Sequence, residues 1–240
     1  SAAAARGVHA PGGEATATTQ LDAVLHYATT RAVPQQTLRE ITVTLDVLKS
    51  VGPCNFLVFG LGRDSLMWAA LNPGGTTLFL EENPNWVQAT LKDAPGLHAD
   101  VVPYRTKLSE ADELLQHYRA EPSCWANNSF LRGNTKCRLA LNMLSDQVYD
   151  TEWDTIMIDA PRGYFPEAPG RMAAIYSAAV MARKRSKSGV THVFVHDVER
   201  RVEATYAEMF LCKKHLVKAV GKLWHFEIPP PTDVNSDFFC

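Results

Sequence analysis

A glycine-containing segment at 56–62 constrains the fold of this chain more than any other feature. The apolar run 56–59 leads directly into Gly60-Leu61-Gly62. An apolar run that ends in Gly-x-Gly is typical of a buried parallel strand that turns sharply into a helix. Glycine at such a turn lets the backbone bend tightly and approach a ligand without an intervening Cβ. The segment therefore predicts either half of a nucleotide-type α/β site or a tight turn that binds nothing.

A carboxylate at the end of the next apolar run, 76–80, favours the ligand-binding interpretation. Glu81 follows the glycines by about 20 residues, the spacing at which an acid reaches a ribose hydroxyl. Enzymes that bind dinucleotides have glycine or alanine where this chain has Ser65, and Asp64 would repel a pyrophosphate. S-adenosylmethionine (SAM) contains a ribose but no phosphate, so it is the predicted cofactor. The predicted cofactor-binding residues are Gly60, Gly62, Asp64, Ser65, Glu81 and Asp159.

Length and composition describe an ordinary soluble domain. The 240 residues are 46% hydrophobic and 21% charged, which suffices for one large α/β domain with its own core. The net charge of −2 excludes a general attraction to polyanions, so no nucleic-acid partner is expected and any acidic ligand must be recognised locally. No apolar run approaches the ~20 residues of a membrane span, and residues 1–19 do not resemble a signal peptide.

Strands and helices alternate along most of the chain. Strands are predicted at 56–59, 76–80, 98–103, 153–159, 190–195, 216–221 and 223–228. Helices are predicted at 20–30, 34–51, 84–92, 109–120, 138–144, 171–185 and 198–211. Residues 1–19 predict a flexible N-terminal segment, residues 20–230 a single domain, and residues 231–240 a C-terminal tail.

The order of these elements predicts an α/β protein with a doubly wound, seven-stranded, Rossmann-like sheet. Almost no residues separate the last two strands, so they must pair as an antiparallel hairpin. Such a terminal hairpin is typical of the SAM-dependent methyltransferase type, whereas the last strands of dinucleotide-binding enzymes remain parallel. The extra N-terminal helices are expected to cover the sheet or the cofactor cleft, or simply to complete the core.

Three polar residues follow neighbouring strands at the sheet edge where ligands bind in this fold class. Asp159 ends the fourth strand, and His196 and Asp197 end the fifth. An unactivated sugar hydroxyl has a very high pKa, so methyl transfer to it needs a base or a metal ion. These three residues are therefore predicted to be catalytic, either as ligands of a divalent metal ion or as a histidine base oriented by an aspartate. In the alternative, His196 and Asp197 only cap the next helix.

Basic and aromatic residues in two loops predict an acidic sugar as the substrate. Arg162, Tyr164 and Arg171 lie in or beside the Gly/Pro-rich loop after the fourth strand, and Arg132 lies in the long segment 121–152. Arginine binds a carboxylate through two parallel hydrogen bonds, and an aromatic ring can stack on a sugar face. These four residues are the predicted substrate-binding residues, with ordinary loop charge and packing as the alternative.

Cysteine placement favours a secretory compartment. Cys124 and Cys137 flank a polar stretch of the longest predicted loop, which predicts a disulfide between them. Asn127-Asn128-Ser129 in the same stretch is a glycosylation sequon. No cysteine spacing in the chain fits a metal site. The disulfide and the sequon together point to a secretory lumen.

Six segments carry a resemblance to a known family. They are 59–68, 78–82, 131–134, 159–164, 167–172 and 195–198. They resemble the plant polysaccharide-biosynthesis family that contains the glucuronoxylan 4-O-methyltransferases. The resemblance implies transfer of a methyl group from SAM to O-4 of glucuronic acid side chains on glucuronoxylan, in plant cell-wall biosynthesis. It also implies a Golgi-lumen location, an N-terminal membrane anchor absent from this chain, and a divalent-metal requirement in some members.

The same family leaves other functions open. Some members act on the glucuronic acid of arabinogalactan, which is the alternative substrate. Others affect xylan without a clear methyltransferase activity, so a non-catalytic xylan-synthesis scaffold is a second alternative. A nicotinamide-dependent oxidoreductase is the third, and Asp64 and Ser65 argue against it.

Overall fold

The structure is a computed structural model that describes residues 11–31 and 33–240, with the side chains of 11–16 left undescribed. Seven strands form one sheet within these residues. They are β1 (Asn55–Phe59), β2 (Thr76–Glu81), β3 (His98–Val101), β4 (Thr155–Ile158), β5 (Thr191–Val195), β6 (Leu216–Val220) and β7 (Leu223–Ile228). The α-helices are α1 (Pro11–Thr29), α2 (Leu38–Val51), α3 (Ser65–Ala70), α4 (Pro84–Asp93), α5 (Ala111–Ala120), α6 (Asp146–Asp150), α7 (Met172–Arg183) and α8 (Arg201–Ala207).

The strand order in the sheet is β3-β2-β1-β4-β5-β7-β6. Strands β1 to β5 are mutually parallel, and β7 inserts antiparallel between β5 and β6. The predicted doubly wound, seven-stranded sheet with a terminal antiparallel hairpin is therefore confirmed. The strand order changes sides between β1 and β4, because β2 and β3 lie on one side of β1 whereas β4 and β5 lie on the other. Ligands bind beyond the strand ends at such a switch point.

Side chains of the central strands are buried on both faces of the sheet. One face packs Leu57 and Phe59 of β1 against α5, α7 and α8. The other face packs Phe56 and Val58 against α2, α3 and α4. Continuous apolar runs such as 56–59 are required in this arrangement, because helices exclude water from both sides of a parallel sheet.

The first two helices differ in their bounds from the predicted ones. Helix α1 already begins at Pro11, so it includes residues 11–19 of the segment expected to be flexible; residues 1–10 lie outside the described part. Helix α2 begins at Leu38 rather than at Pro34. Its start is set by a capping box, in which the Thr37 side chain accepts a hydrogen bond from the Glu40 N–H.

Two further helix predictions were wrong in part. Residues 138–144 form turns instead of a helix. The segment after β5 forms α8 and then a π-helical turn, Glu208–Cys212, rather than one continuous helix. Within the described residues, no helix combines the length and the apolar character that crossing a bilayer requires.

The C-terminal residues are packed against the domain. The side chain of Phe239 is buried in the core beside α5 and α7, and Cys240 forms a disulfide with Cys212. The predicted disulfide between Cys124 and Cys137 is also present. The segment 231–240, expected to be a C-terminal tail, is thus held against the domain by a disulfide and by a buried side chain.

Candidate active site

The Gly60 turn and Glu81 meet at the carboxyl ends of β1 and β2. Gly60 has a φ of +123°, a conformation that side chains rarely permit, and a Cβ there would lie 3.2 Å from the Cβ of Ala160. The N–H of Leu61 donates a hydrogen bond to Oε2 of Glu81 at 3.2 Å. The turn and the acid, which are 20 residues apart in sequence, are therefore in direct contact.

Asp64 and Ser65 form hydrogen bonds within the turn that follows β1. Oδ2 of Asp64 accepts from the indole N–H of Trp68 at 2.8 Å, and Oγ of the buried Ser65 accepts from the Gly62 N–H at 2.9 Å. Burial raises the pKa of Asp64, and the nearby charge of Asp159 raises it further. Both side chains shape the turn through these bonds.

Helix α1 supports the same turn. The hydroxyl of Tyr27 donates to the carbonyl of Arg63 at 2.6 Å and accepts from the N–H of Met67 at 3.3 Å. The extra N-terminal helices are expected from sequence to cover the sheet or the cofactor cleft, or to complete the core. Helix α1 lies against the glycine turn, where the cofactor is predicted to bind.

A cavity of about 490 Å³, here called the β2–β3 cavity, opens beyond the ends of β2 and β3. Its lining includes Glu82, Asn83, Val102, Tyr104, Arg162 and Phe165. The hydroxyl of Tyr104 is buried and has no hydrogen-bond partner in the structure. Burial raises the pKa of Tyr104 well above its ordinary value, so the hydroxyl remains a donor. An unpartnered donor in the lining of a cavity that also includes Glu82, the residue after Glu81, fits an adenosyl ligand.

Asp159 and His196 form a hydrogen-bonded pair at the ends of β4 and β5. Nδ1 of His196 lies 3.0 Å from Oδ1 of Asp159, and the side-chain amide of Gln36 donates to Oδ2 of Asp159 at 3.0 Å. His196 Nε2 is buried without a hydrogen-bond partner. It lies 3.7 Å from Oε1 of Glu40, whose two oxygens accept hydrogen bonds from the N–H groups of Lys222 and Thr37.

The charges around this pair move the two pKa values in opposite directions. Burial alone would lower the pKa of His196, but the hydrogen bond that its Nδ1–H donates to Asp159 and the charges of Asp159 and Asp197 raise it overall. Burial alone would raise the pKa of Asp159, but the bond to His196 and the guanidinium of Arg171 lower it overall. Asp159 therefore remains ionised and holds a proton on the imidazole.

Arg171 is buried among these groups instead of reaching into solvent. Its Nη2 lies 2.8 Å from Oδ2 of Asp197 and 3.4 Å from Oδ1 of Asp159. It also donates to the carbonyls of Asp159 at 2.8 Å and His196 at 2.6 Å. The side chain is only 4% exposed and its guanidinium bonds to these protein groups, which argues against the predicted contact of Arg171 with substrate. Its role is to neutralise two buried carboxylates and fix the strand ends.

The position of Arg171 also decides how well Asp159, His196 and Asp197 fit a divalent metal ion. These residues are close enough to share one. The guanidinium, however, lies between the two carboxylates and already supplies the positive charge that a metal ion would bring. The cluster as arranged does not fit a metal ion and fits a histidine base oriented by an aspartate.

Asp197 has a backbone conformation that is uncommon for a residue with a side chain. Its φ is 61°, in the left-handed region that aspartate tolerates better than most residues. Its carboxylate accepts from Arg171 and from Nη2 of Arg200 at 3.0 Å. Helix α8 begins only at Arg201, with Arg200 at the N-cap, so the helix-capping alternative for His196 and Asp197 is wrong.

A second cavity, of about 620 Å³, lies beside His196 and is here called the α2–β7 cavity. Its lining includes Gln35, Arg39, Glu40, His196, Arg200 and Lys222. Arg39 is exposed and has no carboxylate partner among the described residues. Three basic side chains thus line a cavity that His196 also lines.

The other predicted substrate residues lie elsewhere. Arg132 forms ion pairs with Asp146 and Asp150 in a cavity lined by Glu152, which precedes β4, and by Lys184, which follows α7. This is the amino end of β4, so the structure does not bring Arg132 to the site. Arg162 lies in the β2–β3 cavity, 3.7 Å from Glu82, and the exposed Tyr164 packs edge-on against Phe165.

Several site residues escaped the sequence-based prediction. They are Gln36, Arg39, Glu40, Tyr104, Arg200 and Lys222. The Thr37-x-x-Glu40 pattern is that of a capping box, but it does not predict the contact of Glu40 with the β6–β7 turn. Arg200, three residues after Asp197, carried the clearest signal, because it follows the same strand end.

Comparison with known proteins places the chain in a family. The family model described as IRX15/IRX15L/GXM matches residues 39–226, which include Gly60, Glu81, Asp159 and His196. The chain belongs to this family. Arabinogalactan O-methyltransferase 1 of Arabidopsis thaliana is 64% identical over 88% of this chain and 73% of its own length. Glucuronoxylan 4-O-methyltransferase 2 of the same plant is 48% identical over 91% of this chain and 74% of its own length.

Comparison with solved structures gives a match at low sequence identity. Precorrin-6y C5,15-methyltransferase from Geobacter metallireducens has a TM-score of 0.42 and 14% identity, over 83% of this chain and 90% of that one. The fold of this IRX15/IRX15L/GXM chain is the SAM-dependent methyltransferase fold, with β7 between β5 and β6 at the sheet edge.

Proposed function

We propose that this protein is a SAM-dependent O-methyltransferase that methylates glucuronic acid of an arabinogalactan. The observation that carries the proposal is the unpartnered Nε2 of His196, which is buried in the lining of the basic α2–β7 cavity and backed by Asp159. The greater identity to the arabinogalactan enzyme, 64% against 48%, supports arabinogalactan over the glucuronoxylan expected from sequence.

The cofactor would supply a methyl group bonded to a sulfonium sulfur. On transfer of that group, the rest of the cofactor would leave as a neutral thioether. Glu81 and the Gly60 turn are the proposed holders of its ribose, with Tyr104 as a donor in the adjoining β2–β3 cavity. Asp64 and Ser65 support this side by fixing the turn. Positioning of the two reactants supplies much of the rate in such a displacement.

His196 is the proposed general base. With its proton on Nδ1 directed at Asp159, the neutral imidazole has a lone pair on Nε2. As the acceptor oxygen attacks the methyl carbon, its proton passes to Nε2 and the carbon–sulfur bond breaks. Asp159 stabilises the resulting imidazolium without accepting the proton itself. Asp197, through Arg171, orients the pair.

The basic lining of the α2–β7 cavity supports an acidic sugar as the acceptor. Arg39 and Arg200 can pair with a uronate carboxylate while a hydroxyl of the same ring approaches His196. Arg200 already balances Asp197, so Arg39 is the proposed main contact. Tyr164 and Arg162, on the exposed loop after β4, are proposed to contact further sugars or the cofactor side.

Methyl transfer to defined acceptors tests the proposal. The purified protein is incubated with SAM and with glucuronic acid-bearing oligosaccharides from arabinogalactan or from xylan, and methylated products are quantified by mass spectrometry. We expect a higher kcat/KM with the arabinogalactan acceptor. Reducing the uronate to a neutral sugar, or changing Arg39→Gln, should lower kcat/KM in the same way if the carboxylate binds there.

Two outcomes would redirect the proposal. A protein that binds SAM in calorimetry but methylates neither acceptor has a different acceptor. A protein that does not bind SAM is better explained as the non-catalytic scaffold of xylan synthesis. For location we propose the Golgi lumen, supported by the two disulfides, which persist in oxidising compartments.

A further inference from the structure

We propose that this protein binds one transition-metal ion of the Zn²⁺ or Co²⁺ class through His192, His225 and Glu227. The three side chains come from β5 and β7, and one ligand atom of each lies within 4.8 Å of the others. This site is separate from Asp159 and His196, and it does not depend on the methyl-transfer proposal.

The register of β5 and β7 brings the three side chains to one face of the sheet. His192 lies directly opposite Glu227 in the antiparallel pair. His225 precedes Glu227 by two residues, so both point to the same face. Nδ1 of His192 lies 3.0 Å from Nε2 of His225 and 3.9 Å from Oε1 of Glu227. Ligand atoms around a tetrahedral zinc ion lie about 3.3 Å apart, given metal–nitrogen distances of about 2.0–2.1 Å.

The chemistry of these groups is that of a borderline metal ligand set. Two imidazoles and one carboxylate form a common set of three protein ligands for zinc, with water in the fourth position. Both rings are buried, which disfavours their charged forms. A neutral imidazole has the lone pair that a metal requires.

The surroundings hold the ligands in place and leave an approach from solvent. The ring of Phe194 stacks on His225 with centroids 4.4 Å apart and an interplanar angle of 14°. The Glu227 side chain is 43% exposed, which gives an ion a path to the two buried rings. The nearby Arg185 pairs with Asp154 at 3.0 Å, and Lys218, opposite His225 on β6, is exposed.

The site lies at the amino end of β5, away from the methyl-transfer centre. His192 precedes His196 by four residues on the same strand, which corresponds to about 13 Å along an extended strand. An ion bound to β5 and β7 would therefore clamp the terminal hairpin to the parallel part of the sheet. Its expected effect is on stability, since binding to the folded state alone raises Tm.

The test uses tag-free, EDTA-treated protein titrated with Co²⁺, followed by visible absorption, and with Zn²⁺, followed by calorimetry. We expect one equivalent to bind to the wild type, with the visible bands of a four-coordinate cobalt ion. His192→Gln, His225→Gln and Glu227→Gln should each weaken binding by at least about tenfold. The exposed His98→Gln on β3 and Asp159→Asn are matched controls that should bind as the wild type does.

Several outcomes would overturn the proposal. One is the absence of saturable Co²⁺ or Zn²⁺ binding at millimolar metal. Another is binding that Asp159→Asn weakens and Glu227→Gln leaves intact. Circular dichroism of the metal-free variants checks their folding, and Glu227→Gln is the most informative because it keeps the shape of a half-exposed side chain. Zn²⁺ should raise the Tm of the wild type but not of Glu227→Gln; equal shifts would also contradict the site.

Discussion

Two histidine clusters lie at the two ends of strand β5, and the groups around them differ in charge. At the carboxyl end, His196 contacts Asp159 and Asp197, and the buried guanidinium of Arg171 balances the two carboxylates. At the amino end, His192 contacts a second neutral imidazole and one half-exposed carboxylate. The comparison shows that a histidine paired with balanced charge is suited to move a proton, whereas paired neutral histidines are suited to bind a cation.

The largest expected effect comes from removing the base at the carboxyl end. His196→Gln should lower kcat by about 10²–10⁴-fold, the usual contribution of a general base. SAM affinity, measured by calorimetry, should change little because His196 lines the α2–β7 cavity and not the β2–β3 cavity. His98→Gln, an exposed histidine on β3, is the control. A normal kcat in His196→Gln would show that this histidine is not the base, and the proposed difference in function between the two clusters would be lost.

A second prediction concerns the guanidinium that balances the carboxyl-end cluster. Arg171→Met should lower the free energy of unfolding by about 3–5 kcal/mol, because it leaves buried carboxylates unpaired. Arg132→Met is a matched control, since its ion pairs are exposed and should contribute about 0–1 kcal/mol. Urea unfolding at neutral pH measures both.

The pH dependence of this second effect has a definite sign. Asp159 has a lowered pKa in the folded state, so its contribution to stability is present above its ordinary pKa and is lost as pH falls through the folded value. The difference between the wild type and Arg171→Met should therefore shrink in acid. A difference that stays constant, or one equal to that of Arg132→Met, would contradict the buried ion pair.

A third and smaller effect is a shift in the pH profile of turnover. The groups facing His196 are Asp159, Asp197, Glu40 and Arg171, and their sum raises its pKa above the ordinary 6.5. Activity should therefore rise with pH as the imidazole loses its proton. In Asp159→Asn the residual kcat/KM should show this rise at lower pH, because one stabilising charge is gone. If kcat/KM of Asp159→Asn rises at the same pH as that of the wild type, the titrating group is not His196.

Much of the fold and part of the site followed from the sequence. The carboxyl ends of parallel neighbouring strands meet at one edge, so the convergence of Asp159 and His196 was predictable from strand order alone. The Gly60 turn and Glu81 were predictable from their spacing for the same reason. In these cases the sequence position determines the spatial position, because each residue lies at the carboxyl end of a buried strand.

The remaining contacts depend on tertiary packing that no local pattern records. Glu40 and Gln36 reach the site only because α2 packs across the sheet. The sequence predicts Arg171 as a loop cation, whereas the fold buries it. Cys212, the last residue of the π-helical turn, pairs with Cys240, which is 28 residues away in sequence. The His192 cluster depends on the register of β5 with β7, which the separate strand predictions did not specify.

The insertion of β7 between β5 and β6 has a consequence for how the chain matures. During synthesis, β5 emerges before its neighbour exists, and until β7 is made it remains an open edge with unpaired backbone groups. Lys222, whose N–H binds Glu40 beside His196, emerges in the same late stretch. A nascent chain that ends before this hairpin has every proposed catalytic side chain and still lacks a finished pocket.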